Sequence, residues 1–141
     1  MTLLHPPTGS VVRATPSKLT QVFWDGCARG VLLYQRCASC TAAIFDPADR
    51  CRRCLATNLE WAESAGAGSI ATWSTVWRPV IPSYDVPYVV AVVDVDEGYQ
   101  IVTNIVGCDH TEVRSGLRVE VTFHTDEDRF ALPYFRLQAS T

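Results

Sequence analysis

The sequence predicts a mainly β protein with an N-terminal helix, a small thiolate metal ribbon and then a five-stranded barrel of the OB type. Three observations lead there. Cys37-Ala-Ser-Cys40 and Cys51-Arg-Arg-Cys54 form two Cys-x-x-Cys pairs separated by ten residues, in a segment with little else to hold it together. The stretch before them carries apolar residues at helical spacing, and from Gly66 the apolar pattern changes to period two.

Residues 1–16, with Pro6, Pro7 and Gly9, read as an extended arm without a core of its own. Thr15-Pro16-Ser17 is then a helix start, a capping Thr followed by Pro at the first helical position. Leu19, Val22, Phe23 and Cys27 make its apolar stripe, and Gly30 ends it. Gly26 inside costs about 1 kcal/mol against Ala, so the helix is expected to be short or broken there. Cys27 reads as a small buried apolar residue.

Val31 to Gln35 is a β-rich run entering the first pair. A short hairpin, Ala42 to Phe45, joins the pairs, and Leu59 to Ala62 leads out. Residues 17–62 are therefore a helix plus a ribbon too small to hold a core without its ion.

Residues 63–141 are the barrel and its C-terminal tail. Ile70 to Trp77 and Tyr88 to Val95 are strands, and Asp96-Glu97-Gly98 is a tight turn returning as Tyr99 to Val106. Leu117, Val119, Val121 and Phe123 alternate with Arg118, Glu120, Thr122 and His124, a half-buried strand. Phe130 to Leu137 is the fifth run, and Pro133 within it suits an edge or a bulge. Five short strands with one hairpin and one longer break suggest a small Greek-key barrel.

Four thiols on two tight turns suit one tetrahedral ion. Zinc in a closed structural site fits them best, although four thiolates also accept iron. The gap is shorter than the roughly fifteen to twenty residues of the commonest double-pair template. Thr41 and Leu55 stand where a glycine often follows the second Cys. Disulfides would need an oxidising compartment, and the first fifteen residues show no basic region followed by an apolar core. The six cysteines are thus expected as thiols in a cytoplasmic protein. A redox-active Cys-x-x-Cys would come once, at the head of a helix.

The net charge of −3 divides into +3 over residues 1–60 and −6 over residues 61–141. Arg36, Arg50, Arg52 and Arg53 offset the charge of about −2 that four thiolates leave around a divalent ion. The acidic second half argues against nucleic acid. No apolar run approaches the roughly 20 residues that span a bilayer.

The loop from Arg78 to Pro87 is stiffened by three prolines and carries Val80, Ile81 and Tyr84. Either these fold back onto the barrel end, or they form a preorganised lip that meets a partner or an acyl chain. Trp73, Trp77, Arg78, Ile81 and Tyr84 are the contact candidates, with Arg78 meeting an anion. His5, His110 and His124 are scattered, and Cys108-Asp109-His110 are adjacent residues that rarely converge on one another. No acid, base and nucleophile have legible geometry, so the chain alone does not read as a complete enzyme. The rival readings are a nucleic-acid-binding ribbon and OB module, and a stand-alone thioesterase using Asp109, His110 or His124.

The order of parts is itself a signature: Phe23-Trp24, the run from Gly30 into Cys37, both cysteine pairs, Arg78-Pro79, the Pro87 to Ala91 segment, and Thr103-Asn104-Ile105-Val106-Gly107. Over roughly residues 17 to 137 this resembles the acyl-CoA-associated family with a rubredoxin-like zinc ribbon and an OB-fold. One helix stands where that family has two. The resemblance implies zinc on Cys37, Cys40, Cys51 and Cys54, and a hetero-oligomer with a thiolase-superfamily protein. Members act beside such partners in acyl-CoA carbon–carbon bond formation or cleavage, including an acetoacetyl-CoA thiolase, acyltransferases on phenolic polyketides and the aldolases that shorten steroid side chains. No catalytic residue carries over, because the chemistry lies in the partner.

Overall fold

A computed structural model describes residues 3–8, 14–82 and 84–139. Parts of the predicted arm (1–2 and 9–13), Ser83 of the lip and the last two residues of the tail lie outside them.

The helix starts later than Thr15-Pro16 suggests. Helix α1 is Gln21–Ala28. Ser17 and Thr20 bond each other's backbone through their side chains, with Ser17 N donating to Thr20 Oγ1 at 2.8 Å and Thr20 N to Ser17 Oγ at 3.2 Å. Short hydroxyl side chains offer the backbone a local turn in place of a helical one. Leu19 and Val22 consequently stay exposed, and the buried face is Phe23, Gly26 and Cys27. Gly26 does not break the helix. It lets the helix lie against the next strand, because a Cβ there would sit 2.8 Å from Leu33 Cδ1.

After the turn at Gly30 come β1 (Leu33–Cys37), β2 (Ala43–Ile44) and β3 (Leu59–Glu63), an antiparallel sheet in the order β2-β1-β3. The five predicted runs then appear as β4 (Ala67–Val76), β5 (Tyr88–Val95), β6 (Tyr99–Val106), β7 (Arg118–Thr125) and β8 (Ala131–Leu137). They close in the order β4-β5-β6-β8-β7. Strand β4 bends through an irregularity between Ile70 and Thr72. Strand β8 meets β6 in parallel only at Ile105–Phe135 and Val106–Arg136. Pro133 pairs with Phe123 beyond those contacts, where β8 has a neighbour on one side only, which is the edge position its missing N–H requires.

Aromatic side chains run from the helix through the ribbon to the barrel. Trp24 lies 5.1 Å from Phe130, Phe23 5.4 Å from Phe45, and Tyr99 stacks between Phe45 at 5.2 Å and Tyr34 at 5.1 Å. Phe23, Cys27, Leu32 and Tyr34 therefore share one core with Ile70, Val93, Val119 and Phe135. The arm joins it too, unlike the coreless segment expected. Leu4 is 6% exposed, donates its N–H to the Cys108 carbonyl at 2.7 Å and accepts from Gly107 at 2.8 Å. The end of β6 leaves backbone groups for an extended segment to pair with, and one leucine fills the barrel end. No helix among the described residues is long and apolar enough to cross a membrane.

Candidate metal centre and docking face

Each cysteine pair closes the same turn. Thr41 N donates to the Cys37 carbonyl and Leu55 N to the Cys51 carbonyl, both at 2.9 Å. Cys37 N and Cys51 N in turn donate to the Ala42 and Ala56 carbonyls at 3.0 and 2.8 Å. Thr41 and Leu55 take φ of 64° and 66°, the left-handed conformation a glycine would adopt more easily. The missing glycines thus leave the turn geometry intact at a cost of about 1–2 kcal/mol per residue.

The two turns face each other and bring all four Sγ atoms within 4.8 Å of one another. Cys37 and Cys54 are 3.6 Å apart, Cys40 and Cys51 3.5 Å. A tetrahedral ion with sulfur at ~2.3 Å separates its ligands by ~3.8 Å, so the tetrad fits one ion after a small expansion. Cys37 and Cys51 are wholly buried, Cys40 half-buried and Cys54 exposed. Their protons are unequally held. A backbone hydrogen bond from Cys40 pulls the Cys37 thiol down, and one from Cys54 pulls Cys51 to about 6. Cys54 receives a backbone bond from Ala56, but desolvation and the three neighbouring sulfurs outweigh it and push it up to about 12. A bound divalent cation would relieve that crowding.

Gln35, which the sequence reading overlooked, pins the loop between the pairs. Its buried side chain donates to the Ala48 carbonyl at 3.1 Å and accepts from Ala48 N at 2.8 Å. Arg36 is less a counter-charge than a tie, reaching the Thr41 carbonyl at 2.6 Å and the Tyr34 hydroxyl at 2.9 Å. Arg52 pairs with Asp46 at 3.5 Å in an exposed setting.

The lip does not fold wholly onto the barrel end. Val80, Ile81 and Tyr84 join Tyr88, Val90 and Val102 along a shallow groove of about 350 Å³ on the outer face of β5 and β6. Val80 and Val102 are 81% and 70% exposed. Of the five contact candidates, Ile81 and Tyr84 line this groove. Arg78 is exposed outside it, Trp73 lies on β4, and Trp77 packs edge-on against His110 at 5.0 Å. The sequence signal for Val90 was present in β5, which is apolar in both phases although a closed barrel buries only one, whereas Val102 stands on the outer phase of β6 between Gln100 and Asn104. Asp109 caps the short turn His110–Glu112 through Thr111 N at 3.0 Å, and burial pushes the neighbouring Cys108 thiol up.

Residues 24–60 match the family described as ChsH2, rubredoxin-like zinc ribbon domain, and residues 61–124 match ChsH2, C-terminal OB-fold domain. A DUF35 domain-containing scaffold protein of Methanocaldococcus jannaschii is 32% identical over 97 residues, covering 67% of this chain and 69% of that protein. The chain belongs to the ChsH2/DUF35 family. A structure described as the Ltp2-ChsH2(DUF35) aldolase superposes with a TM-score of 0.81 at 28% identity, covering 89% of this chain and 98% of that one. The probable enoyl-CoA hydratase alpha subunit of Thermomonospora curvata is 31% identical over 115 residues, 81% of this chain. This ChsH2/DUF35 chain spans 36% of that relative's length.

Proposed function

We propose that this chain is a non-catalytic accessory subunit that docks on a thiolase-superfamily enzyme of acyl-CoA carbon–carbon bond chemistry, in the cytoplasm. The observation that carries the reading is the groove of Val80, Ile81, Tyr84, Val90 and Val102. In an OB-fold the face of the second and third strands, with the loop between the first two, is the usual binding surface. Here β5, β6 and the 78–87 loop occupy those places, and among the described residues no Lys or Arg lines the groove. Such a face suits an apolar protein surface or acyl group better than a phosphate backbone.

The names of the relatives support the acyl-CoA setting. Hydrating an enoyl thioester gives a β-hydroxyacyl thioester, and a retro-aldol step breaks the carbon–carbon bond beside that hydroxyl. A hydratase and an aldolase of this chemistry would act on consecutive forms of an acyl chain, and this family's module occurs in proteins named for each. Residues 17–62 and 63–141 serve as the two modules of the subunit. In the first, zinc on Cys37, Cys40, Cys51 and Cys54 is structural: all four positions are filled by thiolates, so none is open for substrate. Ile81 and Tyr84 anchor the interface, Trp73 and Trp77 flank it, and Arg78 meets a CoA phosphate or a partner carboxylate.

The test is purification with and without the thiolase-like protein of the same cell. Ile81→Asp and Val102→Asp should each weaken association by about thirtyfold while leaving the thermal midpoint within a few degrees. A chain that stays monomeric beside such a protein and leaves its activity unchanged would reject the reading.

A further inference from the structure

The lip and the N-terminal arm, far apart in sequence, meet at Asp85. Thr8 Oγ1 donates to Asp85 Oδ2 at 2.9 Å, and His5 Nε2 lies 4.0 Å from the same oxygen. The arm is anchored independently of this contact, through the buried Leu4, its two backbone bonds with Cys108 and Gly107, and the buried Pro7. Arm and lip enclose a cavity of about 10 Å³ with Tyr84, Tyr88 and Tyr134 on its wall, room for one water at most.

Within the lip, Tyr84 N donates to the Ile81 carbonyl at 3.2 Å and the Tyr84 ring lies 5.1 Å from Tyr88. Prolines 79, 82 and 87 narrow the backbone choices inside the loop, but they do not fix how the loop as a whole leans on the barrel. A tie near its far end to a fixed arm does. We propose that Asp85 is a positioning residue: its carboxylate latches the lip to the arm and so holds Ile81 and Tyr84 in place along the groove. The purpose of that placement rests on the docking reading above, whereas the latch does not. Preordering the lip reduces the entropy a partner must supply on binding.

Limited proteolysis of the full chain reads the latch directly, because chymotrypsin cleaving after Tyr84 samples local opening of the lip. Asp85→Ala and Thr8→Val should each speed that cleavage by about tenfold, with metal content and thermal midpoint unchanged. Asp85→Asn should restore most of the protection, since its amide oxygen still accepts from Thr8. The double variant should be no faster than either single one, as expected for two ends of one contact. Unchanged cleavage in Thr8→Val, an exposed substitution that the fold tolerates, would overturn the latch, and so would an additive double variant. Weaker association of Asp85→Ala with the thiolase-like protein would support the link to docking. Unaltered association despite a loosened lip would instead overturn the docking face and leave the latch standing.

Discussion

Arg36, on the strand that enters the first cysteine turn, donates to the backbone carbonyl of Glu97 in the β5–β6 turn at 3.2 Å. The same guanidinium reaches the Thr41 carbonyl that follows Cys40. One side chain therefore ties the metal ribbon to the barrel, using separate donors of a rigid fork. Arg36→Ala should lower stability by about 1–2 kcal/mol, the scale of charged hydrogen bonds in a half-buried setting. Arg36→Lys should recover little of that, because a point charge cannot reach all three acceptors. Urea unfolding at constant metal content checks both, and an unmoved midpoint in the Ala variant would remove the tie from the account.

Gly26 gives the second expectation. Alanine is the better helix former by about 1 kcal/mol. Its methyl, however, would meet the Leu33 side chain at 2.8–2.9 Å and the Val31 carbonyl oxygen at 3.0 Å. The leucine can shift and the backbone oxygen cannot, so Gly26→Ala should be destabilising by about 1–2 kcal/mol. A raised melting temperature would mean that helix and strand can move apart freely.

The fold was legible where periodicity and chemistry left one solution. Four thiols in two pairs, the Asp96–Gly98 turn between two apolar strands, and the alternation from Leu117 to Phe123 needed no tertiary information. The helix start was not legible, because Ser17 and Thr20 bond to each other, a choice that the capping pattern at Thr15-Pro16 does not reveal. Leu4 and Gln35 were missed for a related reason. A single leucine in a proline-rich arm and a lone glutamine in a strand have no period, and only their distant partners, Gly107, Cys108 and Ala48, give them meaning. The groove was half legible, with Ile81 and Tyr84 read from the loop but Val90 and Val102 hidden within runs that also supply the core.

Leu55 offers a test of backbone strain. It sits at φ 66° with 69% of its surface exposed. Leu55→Gly should stabilise the isolated chain by about 0.5–1 kcal/mol, after the greater freedom of glycine in the unfolded state is subtracted. Thermal unfolding of the metal-loaded chain measures it. A lower midpoint would show that the leucine side chain holds contacts worth more than the strain.

Acid should weaken one specific contact. Arg118 grips Asp96 through two hydrogen bonds, at 2.8 and 2.5 Å, and the first of its effects, that hydrogen bonding, draws the Asp96 pKa below its ordinary value. A carboxyl depressed in the folded state contributes stability above its unfolded pKa of about 4, and loses it as pH falls through the folded value. Asp96→Asn should therefore be less stable than the native chain at pH 7, and the gap should close at acid pH, below the folded value. Both side chains are nearly half exposed, so added salt should shrink the difference. A gap that is the same at both pH values would assign the effect to packing instead.

The cysteine tetrad carries the sharpest test. The ribbon's own apolar cluster consists of Cys37, Ile44 and Cys51, with half-buried neighbours, and two of those three are candidate ligands. Such a cluster is too small to order the two cysteine turns unaided, so binding of the ion and folding of those turns should be one event. The native chain should hold one metal ion, and elemental analysis of material kept reduced should identify it as zinc. Cys51→Ser removes a wholly buried sulfur and should abolish retention of the ion through gel filtration. Cys54→Ser, at the exposed corner, should weaken retention less. With the ion gone, amides of residues 37–42 and 51–56, the two cysteine turns, should exchange as in an unfolded chain, while β5 and β6 keep measurable protection from their own pairing. Full metal content in Cys51→Ser, or ordered cysteine turns in metal-free material, would show that the thiols are only neighbours and not a site.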